Sequence, residues 1–101
     1  MKKIINGKLY NTDTATLIGE HWNGYSLSDF NYEREALFQK KTKEFFLFGE
    51  GGPMTDYCDY SGNYRTYGER IIPYDVEDAK SWCARYLDVD KYCEIFGEPE
   101  E

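Results

Sequence analysis

The feature that most constrains the fold is a short apolar run at residues 44–48, where four large apolar side chains follow Glu44. A strand places successive side chains on opposite faces, so a run that is apolar at every position has two faces to bury. The run therefore predicts a central strand that is covered on each side. The glycine-rich residues 49–53 predict that this strand ends abruptly in a turn.

The neighbouring segments supply further strands of an antiparallel sheet. Residues 35–40 have strand character and are separated from the central run only by residues 41–43. Residues 69–72 form another short strand-like run. This strand is expected to stop at Pro73, because proline cannot donate a hydrogen bond to the ladder.

The N-terminal third begins with a hairpin signal in residues 3–10. Asn6-Gly7 lies at its centre, and this pair readily adopts the two positive-φ positions of a type I′ turn. Residues 11–19 are prone to capping and have too few apolar positions to predict a helix. Residues 22–31 are rich in Asn, Gly, Ser and Asp, which predicts a connecting loop.

Two helices are predicted to close the chain. Asp75 is placed as the N-cap of the first helix, with Asp78 in the capping-box position. Asp88 is placed to cap a second, shorter helix, and Gly97 suits the left-handed residue after its end. Apolar positions recur at helical spacing in both: Val76, Ala79, Trp82, Cys83 and Tyr86, then Val89, Tyr92, Cys93 and Phe96. The expected fold is one α+β domain spanning residues 1–101: an N-terminal β-hairpin, a small antiparallel sheet and a C-terminal pair of helices packed on the sheet.

The last 27 residues carry nearly all of the net charge. Residues 75–101 hold nine acids against three bases, which is −6 of the −7 of the whole chain. Such a field repels nucleic acid and attracts basic protein surfaces. Since the apolar stripes face the sheet, the acids point outward, where they form either a partner-binding face or a solvated surface that keeps the protein soluble. The residues assigned to this acidic face are Asp75, Asp78, Asp88, Asp90 and Glu94.

The segment at residues 56–67 contains four tyrosines without regular spacing. One interpretation is a partner-binding loop, because exposed tyrosine supplies a large contact area at low entropic cost. The other is a loop folded over the sheet edge with its tyrosines half buried. Base stacking is disfavoured by the negative charge. The candidate contact residues of this loop are Asp56, Asp59, Tyr60, Tyr64 and Tyr67.

No sequence pattern indicates catalysis or metal binding. His21 is the single histidine and is expected to be a polar surface residue; Cys58, Cys83 and Cys93 form no C-x-x-C pair that could start a zinc site. Residues 49–52 lack the Lys-Ser/Thr that follows a phosphate-binding loop. We therefore expect no enzyme activity, no cofactor, no metal and reduced cysteines. No apolar run approaches the roughly 18 residues of a membrane span, and no signal peptide is evident, so a cytoplasmic location is expected.

Three blocks that together span most of the chain share a pattern with a known family. They are Lys3-Ile4-Ile5-Asn6-Gly7-Lys8-x-Tyr10-x-Thr12-x-Thr14-Ala15, then Phe45-Phe46-Leu47-x-Gly49-Glu50-Gly51-Gly52, then Gly68-Glu69-x-Ile71-Ile72-Pro73 followed by Ala79 and Trp82. In these blocks the chain resembles small proteins encoded by phages and plasmids of Firmicutes, which share the N-terminal module of type II-A anti-CRISPR proteins. One departure is Lys43, which stands where this pattern has Gly in the central hairpin turn.

The resemblance implies a non-catalytic inhibitor from a mobile genetic element. Its expected partner is a type II Cas nuclease, which holds guide RNA and target DNA in basic channels. An acidic ligand would block guide RNA or target DNA binding there without itself binding nucleic acid or membrane. The alternatives are an inhibitor or adaptor of another host defence or nucleic-acid enzyme, such as a restriction system or regulator, and a small enzyme that acts on guide RNA.

Overall fold

Eight strands precede two helices in the structure, a computed structural model that describes residues 1–101. The elements are β1 (Lys2–Ile5), β2 (Lys8–Asn11), β3 (Thr16–Trp22), β4 (Glu33–Gln39), β5 (Phe45–Gly51), β6 (Asp59–Ser61), β7 (Tyr64–Thr66), β8 (Gly68–Tyr74), α1 (Val76–Tyr86) and α2 (Val89–Phe96). Strands β3, β4, β5 and β8 form one antiparallel sheet in the order β3-β4-β5-β8, and β1-β2 and β6-β7 are separate two-stranded ribbons. The two helices pack on one face of the sheet, which confirms the α+β class.

Strand β5 lies inside the sheet and is covered on both faces, as the sequence predicts. Leu47 points towards the helices and belongs to a buried cluster with Trp82. Phe46 points the other way, where it stacks on Phe38 with ring centroids 5.3 Å apart and meets the edge of Tyr10 at 5.5 Å. Full burial of a side chain of this size contributes about 1.5–3 kcal/mol. The strand therefore holds the helices and the N-terminal ribbon on opposite faces.

The local turn signals of the sequence are confirmed. Asn6 and Gly7 have φ angles of 51° and 77°, as a type I′ hairpin turn requires. Gly97 follows α2 with φ 81°, a conformation that glycine adopts without a steric penalty. Short-range residue preferences thus set the path of the chain in the first hairpin turn and after α2.

Strand β3 is an edge strand, whereas the sequence suggested only a capping-prone stretch at residues 11–19. Apolar and polar residues alternate only weakly along β3, because no strand covers its outer edge. Only a few of its residues, such as Ile18 and His21, are half buried. Pairing with β4 also shifts register just before Gly19. A Cβ atom at Gly19 would lie 2.6 Å from Leu87 Cδ2. Glycine therefore leaves room for Leu87 at the end of α1.

Two strands run further than predicted. Strand β5 continues through Gly49 to Gly51 instead of ending in a glycine turn, because the ring of Tyr57 takes the place of a side chain over Gly49. Strand β8 passes through Pro73 to Tyr74. It does so at the edge of the sheet, where a residue without an N–H is tolerated.

The β4–β5 turn places Lys43 in the left-handed region with φ 77°. The Lys43 N–H donates to the Lys40 carbonyl at 2.9 Å, and the Lys40 N–H donates to the Glu44 carbonyl at 2.8 Å. This is the three-residue hairpin loop that combines a type I turn with a left-handed third residue. Glycine is the residue best suited to that position. Lys43 therefore forms the same turn but with local backbone strain.

Replacing Lys43 with glycine is expected to stabilise the protein. The backbone strain that glycine removes at position 43 exceeds the entropic cost of glycine in the unfolded chain. The free energy of unfolding should therefore rise by about 0.5–1 kcal/mol. Urea denaturation followed by tryptophan fluorescence measures the change. Lys41→Gly in the same turn is the matched control and should not stabilise, because Lys41 has no positive φ to relieve. A lower midpoint for K43G would contradict the strained turn.

Candidate functional site

Three of the five acids assigned to the acidic face cap the helices. The Asp75 carboxylate accepts from the Asp78 N–H at 2.7 Å, and the Asp78 carboxylate accepts from the Asp75 N–H at 3.3 Å. This is the capping box that the sequence predicts for α1. Asp88 caps α2 by accepting from the Lys91 N–H at 2.8 Å. Replacing these acids would change helix stability as well as surface charge.

Asp90 and Glu94 carry charge without a capping role. Both are exposed and lie about one turn apart on α2. Glu94 has one ionic partner, Lys91, at 3.8 Å, and an exposed pair of this kind contributes little. Further exposed acids of this surface are Glu77, Glu98, Glu100 and Glu101. The negative charge of the helices and tail is therefore open to solvent and to a partner.

Two of the three bases on this surface lie against aromatic rings instead of neutralising the acids. Lys80 Nζ is 5.9 Å from the centre of the Phe96 ring, and Arg85 Cζ is 5.3 Å from the centre of the Tyr86 ring. Long basic side chains commonly lie along apolar surface in this way. Neither base forms a salt bridge with an acid of this face.

The tyrosine-rich segment contains a hairpin, not only the loop that the sequence predicts. Strands β6 and β7 pair in antiparallel register, and Gly62 has a φ of 62° in the turn between them. Tyr60 and Tyr64 are 65% and 79% exposed. Asp56 and Asp59 are also exposed. These four side chains are accessible from solvent.

Two other tyrosines of this segment are fixed to the sheet. Tyr57 is buried and its hydroxyl donates to Glu35, while the Tyr67 hydroxyl donates to Glu50. Burial, followed by the acceptor carboxylate, raises the pKa of each phenol still further above neutral pH, where both are protonated donors. The two interpretations that the sequence leaves open thus apply to different residues: the hairpin is exposed, and its flanks are anchored.

Glu50 is the centre of a polar cluster that the sequence did not reveal. Besides Tyr67, it accepts from the Tyr32 hydroxyl at 2.7 Å and from Arg34 Nε at 2.9 Å. Arg34 also reaches Glu20 on β3 at 2.6 Å. Burial by itself raises the pKa of Glu50, but the hydrogen bonds from the two tyrosines and the arginine outweigh it and hold the pKa below its usual value. The cluster joins β3, β4 and β5 to the start of β8.

Glu35 forms a second cluster, on the helix-covered face of the sheet. Its carboxylate accepts from the Tyr57 hydroxyl and, at 3.1 Å, from Trp82 Nε1 of α1. It lines an open cleft of about 300 Å³ between α1 and the sheet. His21 stacks on Tyr86 at 4.0 Å between ring centroids, so it is a half-buried packing residue and not the polar surface residue that was expected. Glu35 therefore links the helices to the tyrosine-rich segment.

The remaining candidate groups for chemistry are dispersed. No group of three or more His, Cys, Asp or Glu side chains is placed to hold a metal ion. Cys58, Cys83 and Cys93 are free thiols, and burial raises the pKa of Cys83. Neither helix combines the length and the apolar character that crossing a membrane requires.

The chain matches no protein-family model, no curated protein and no solved structure. Its exposed groups and the three sequence blocks therefore carry the information on its function.

Replacing Glu50 with glutamine should make the stability less sensitive to acid. The lowered folded-state pKa means that the carboxylate stabilises the fold above its unfolded-state pKa of about 4.3. This contribution is lost as the pH falls through the folded-state value. Urea titrations between about pH 6 and about pH 3 should therefore show a smaller loss of unfolding free energy for E50Q than for the wild type.

Glu98→Gln is the matched control, because it removes the same group from the exposed tail. This variant should follow the wild-type dependence on pH. Equal slopes for the wild type, E50Q and E98Q would contradict the role of the Glu50 cluster.

Proposed function

We propose that this protein is a non-catalytic inhibitor, carried by a mobile genetic element, that binds a type II CRISPR nuclease and blocks guide RNA or target DNA binding. The observation that carries the proposal is the exposed acidic surface of α1, α2 and the tail, in which Asp90 and Glu94 serve no capping role. The three sequence blocks that resemble the module of type II-A anti-CRISPR proteins support the choice of target.

The physical basis of the proposal is competition for basic side chains. A nuclease of this class holds its nucleic acids in positively charged channels. An acidic protein surface is attracted to such a channel over a distance set by the ionic strength, which raises the association rate. Its carboxylates then pair with the lysine and arginine side chains that would otherwise bind phosphates. Occupation of the site is sufficient for inhibition, and no reacting group is required.

Two alternatives differ from this proposal in measurable ways. Another nucleic-acid enzyme with a basic channel, such as a restriction enzyme, would attract the same acidic surface. An enzyme that cleaves guide RNA would inhibit the nuclease without remaining bound. Selectivity for the nuclease and the stoichiometry of inhibition distinguish these cases.

Reversing the two non-capping acids of α2, in the variant D90K/E94K, should slow association with the purified nuclease. We expect the association rate at low salt to fall by roughly tenfold and its salt dependence to flatten, because long-range attraction is lost. The fold should remain intact, since neither residue caps a helix and the loss of an acid from the first turn of α2 costs only about 0.3–1 kcal/mol. Surface plasmon resonance at two salt concentrations measures both quantities.

Asp13→Lys is the control for a single reversal and is compared with Asp90→Lys. Asp13 is exposed in the turn before β3, on the side of the lysine-rich N-terminal ribbon. Reversal of Asp13 should lower the association rate less than reversal of Asp90. An unchanged association rate for D90K/E94K would assign these acids to solubility. Reversal of Asp78 or Asp88 would not be informative, because it removes a cap.

Inhibition of the purified nuclease should be stoichiometric. Each copy of a blocking protein occupies one site, so activity should reach its minimum near an equimolar ratio. Chelator should not relieve the inhibition, and the guide RNA should remain intact on a denaturing gel. Full inhibition far below equimolar protein, or a shortened guide RNA, would contradict the blocking mechanism. Absence of inhibition at every ratio would favour a different target.

A further inference from the structure

Two connecting segments meet at one end of the four-stranded sheet and form a single surface. Residues 23–32 join β3 to β4, and residues 52–58 follow β5. The Met54 N–H donates to the Phe30 carbonyl at 2.9 Å, and the Gly52 N–H donates to the Tyr32 carbonyl at 2.8 Å. A Cβ atom at Gly52 would lie 2.6 Å from the Phe30 carbonyl oxygen, so glycine permits this close approach.

The surface carries a group of exposed apolar side chains, which we call the loop end. Its members, each between 47% and 66% exposed, are Trp22, Tyr25, Leu27, Phe30 and Met54. Exposed apolar residues are common singly, whereas several on adjoining segments are typical of an interaction surface. Aromatic residues and methionine are also enriched at protein interfaces.

Polar side chains hold the loop end in shape instead of covering it. Asn23 Nδ2 donates to the Asn31 carbonyl at 2.7 Å, and Asn23 Oδ1 accepts from the Glu33 N–H at 3.2 Å. Trp22 Nε1 donates to the Tyr25 carbonyl at 2.6 Å. A surface fixed by its own hydrogen bonds loses less conformational entropy when a partner binds.

The charge around the loop end is mainly negative. Residues 20–33 and 50–59 contain six acids and no lysine or arginine. Arg34 pairs with two of these acids, Glu20 and Glu50, and the other four have no ionic partner. Glu33 and Asp56 line a cleft of about 310 Å³ beside Tyr25 and Met54. Burial, followed by the nearby acids, raises the pKa of Glu33. A cationic partner would lower this pKa again, because it favours the ionised carboxylate.

We infer that the loop end is the main contact surface for a basic protein partner, one that presents apolar side chains surrounded by lysine and arginine. The inference rests on the proposed function, in which this partner is the nuclease. It adds that apolar contact at the loop end holds the complex, while the acids of the helices speed its formation. Apolar contacts at the centre of an interface act mainly on the dissociation rate.

The test compares two pairs of exposed apolar residues at opposite ends of the protein. Leu27→Ser and Phe30→Ser together alter the loop end, where both side chains are 66% exposed. Ile4→Ser and Leu9→Ser are the matched control, because these residues face each other across the N-terminal ribbon and are 73% and 54% exposed. Thermal denaturation of both variants should match the wild type, since all four side chains are on the surface.

Binding to the purified nuclease without guide RNA is then followed by surface plasmon resonance. We expect the loop-end variant to dissociate at least tenfold faster and the control variant to dissociate within twofold of the wild type. A wild-type dissociation rate for the loop-end variant would overturn the inference and leave the proposed function standing. If the wild type itself does not bind the nuclease, the proposed function fails and the inference fails with it. Analytical ultracentrifugation provides the other decisive outcome: a wild-type dimer that the loop-end variant abolishes would assign the surface to self-association.

Discussion

The fold depends on strand β5, whose two halves are buried in different ways. Its first half places large apolar side chains on both faces, so α1 packs on one side and the N-terminal ribbon on the other. In its second half, Gly49 and Gly51 leave room for Tyr57 and Thr55 to lie directly on the backbone. Glu50 stands between the two glycines and binds side chains on the other face. A single strand thus positions both the helices and the loop end.

Elements that depend on neighbouring residues could be predicted from the sequence, and elements that depend on distant partners could not. The Asn-Gly turn, the capping box at Asp75 and the apolar half of β5 are local patterns. Strand β3 gives a weak signal because it is an edge strand, and the glycine half of β5 resembles a turn until its tyrosine cover is known. Glu35 and Glu50 resemble surface acids, since the tyrosines that bind them lie 22 and 17 residues away. For the same reason the sequence located the exposed helical acids but not the loop end, which two separate segments assemble.

Charge is distributed unevenly over the surface of the protein. Six of its eight lysines lie in the first 43 residues, on the N-terminal ribbon and the β4–β5 turn, whereas the helices and the segments around the loop end are acidic. Glu44 lies among these lysines and pairs with Lys8 at 2.8 Å; the hydrogen bonds from Lys8 and then Thr42 lower the pKa of Glu44 to about 2. A protein with this asymmetry would approach a basic channel with its acidic surfaces first. Long-range steering by acids and short-range contact by apolar side chains are then separate contributions from different surfaces.

Amide hydrogen exchange of the protein, free and bound to the nuclease, tests this arrangement most directly. The account predicts slower exchange in the bound state for residues 22–31, residues 52–58 and α2, because these segments carry the proposed contacts. Exchange in β1 and β2 should remain unchanged, because the lysine-rich ribbon points away from a basic partner. Protection confined to that ribbon, or no protection of the loop end in a complex that forms, would contradict the account.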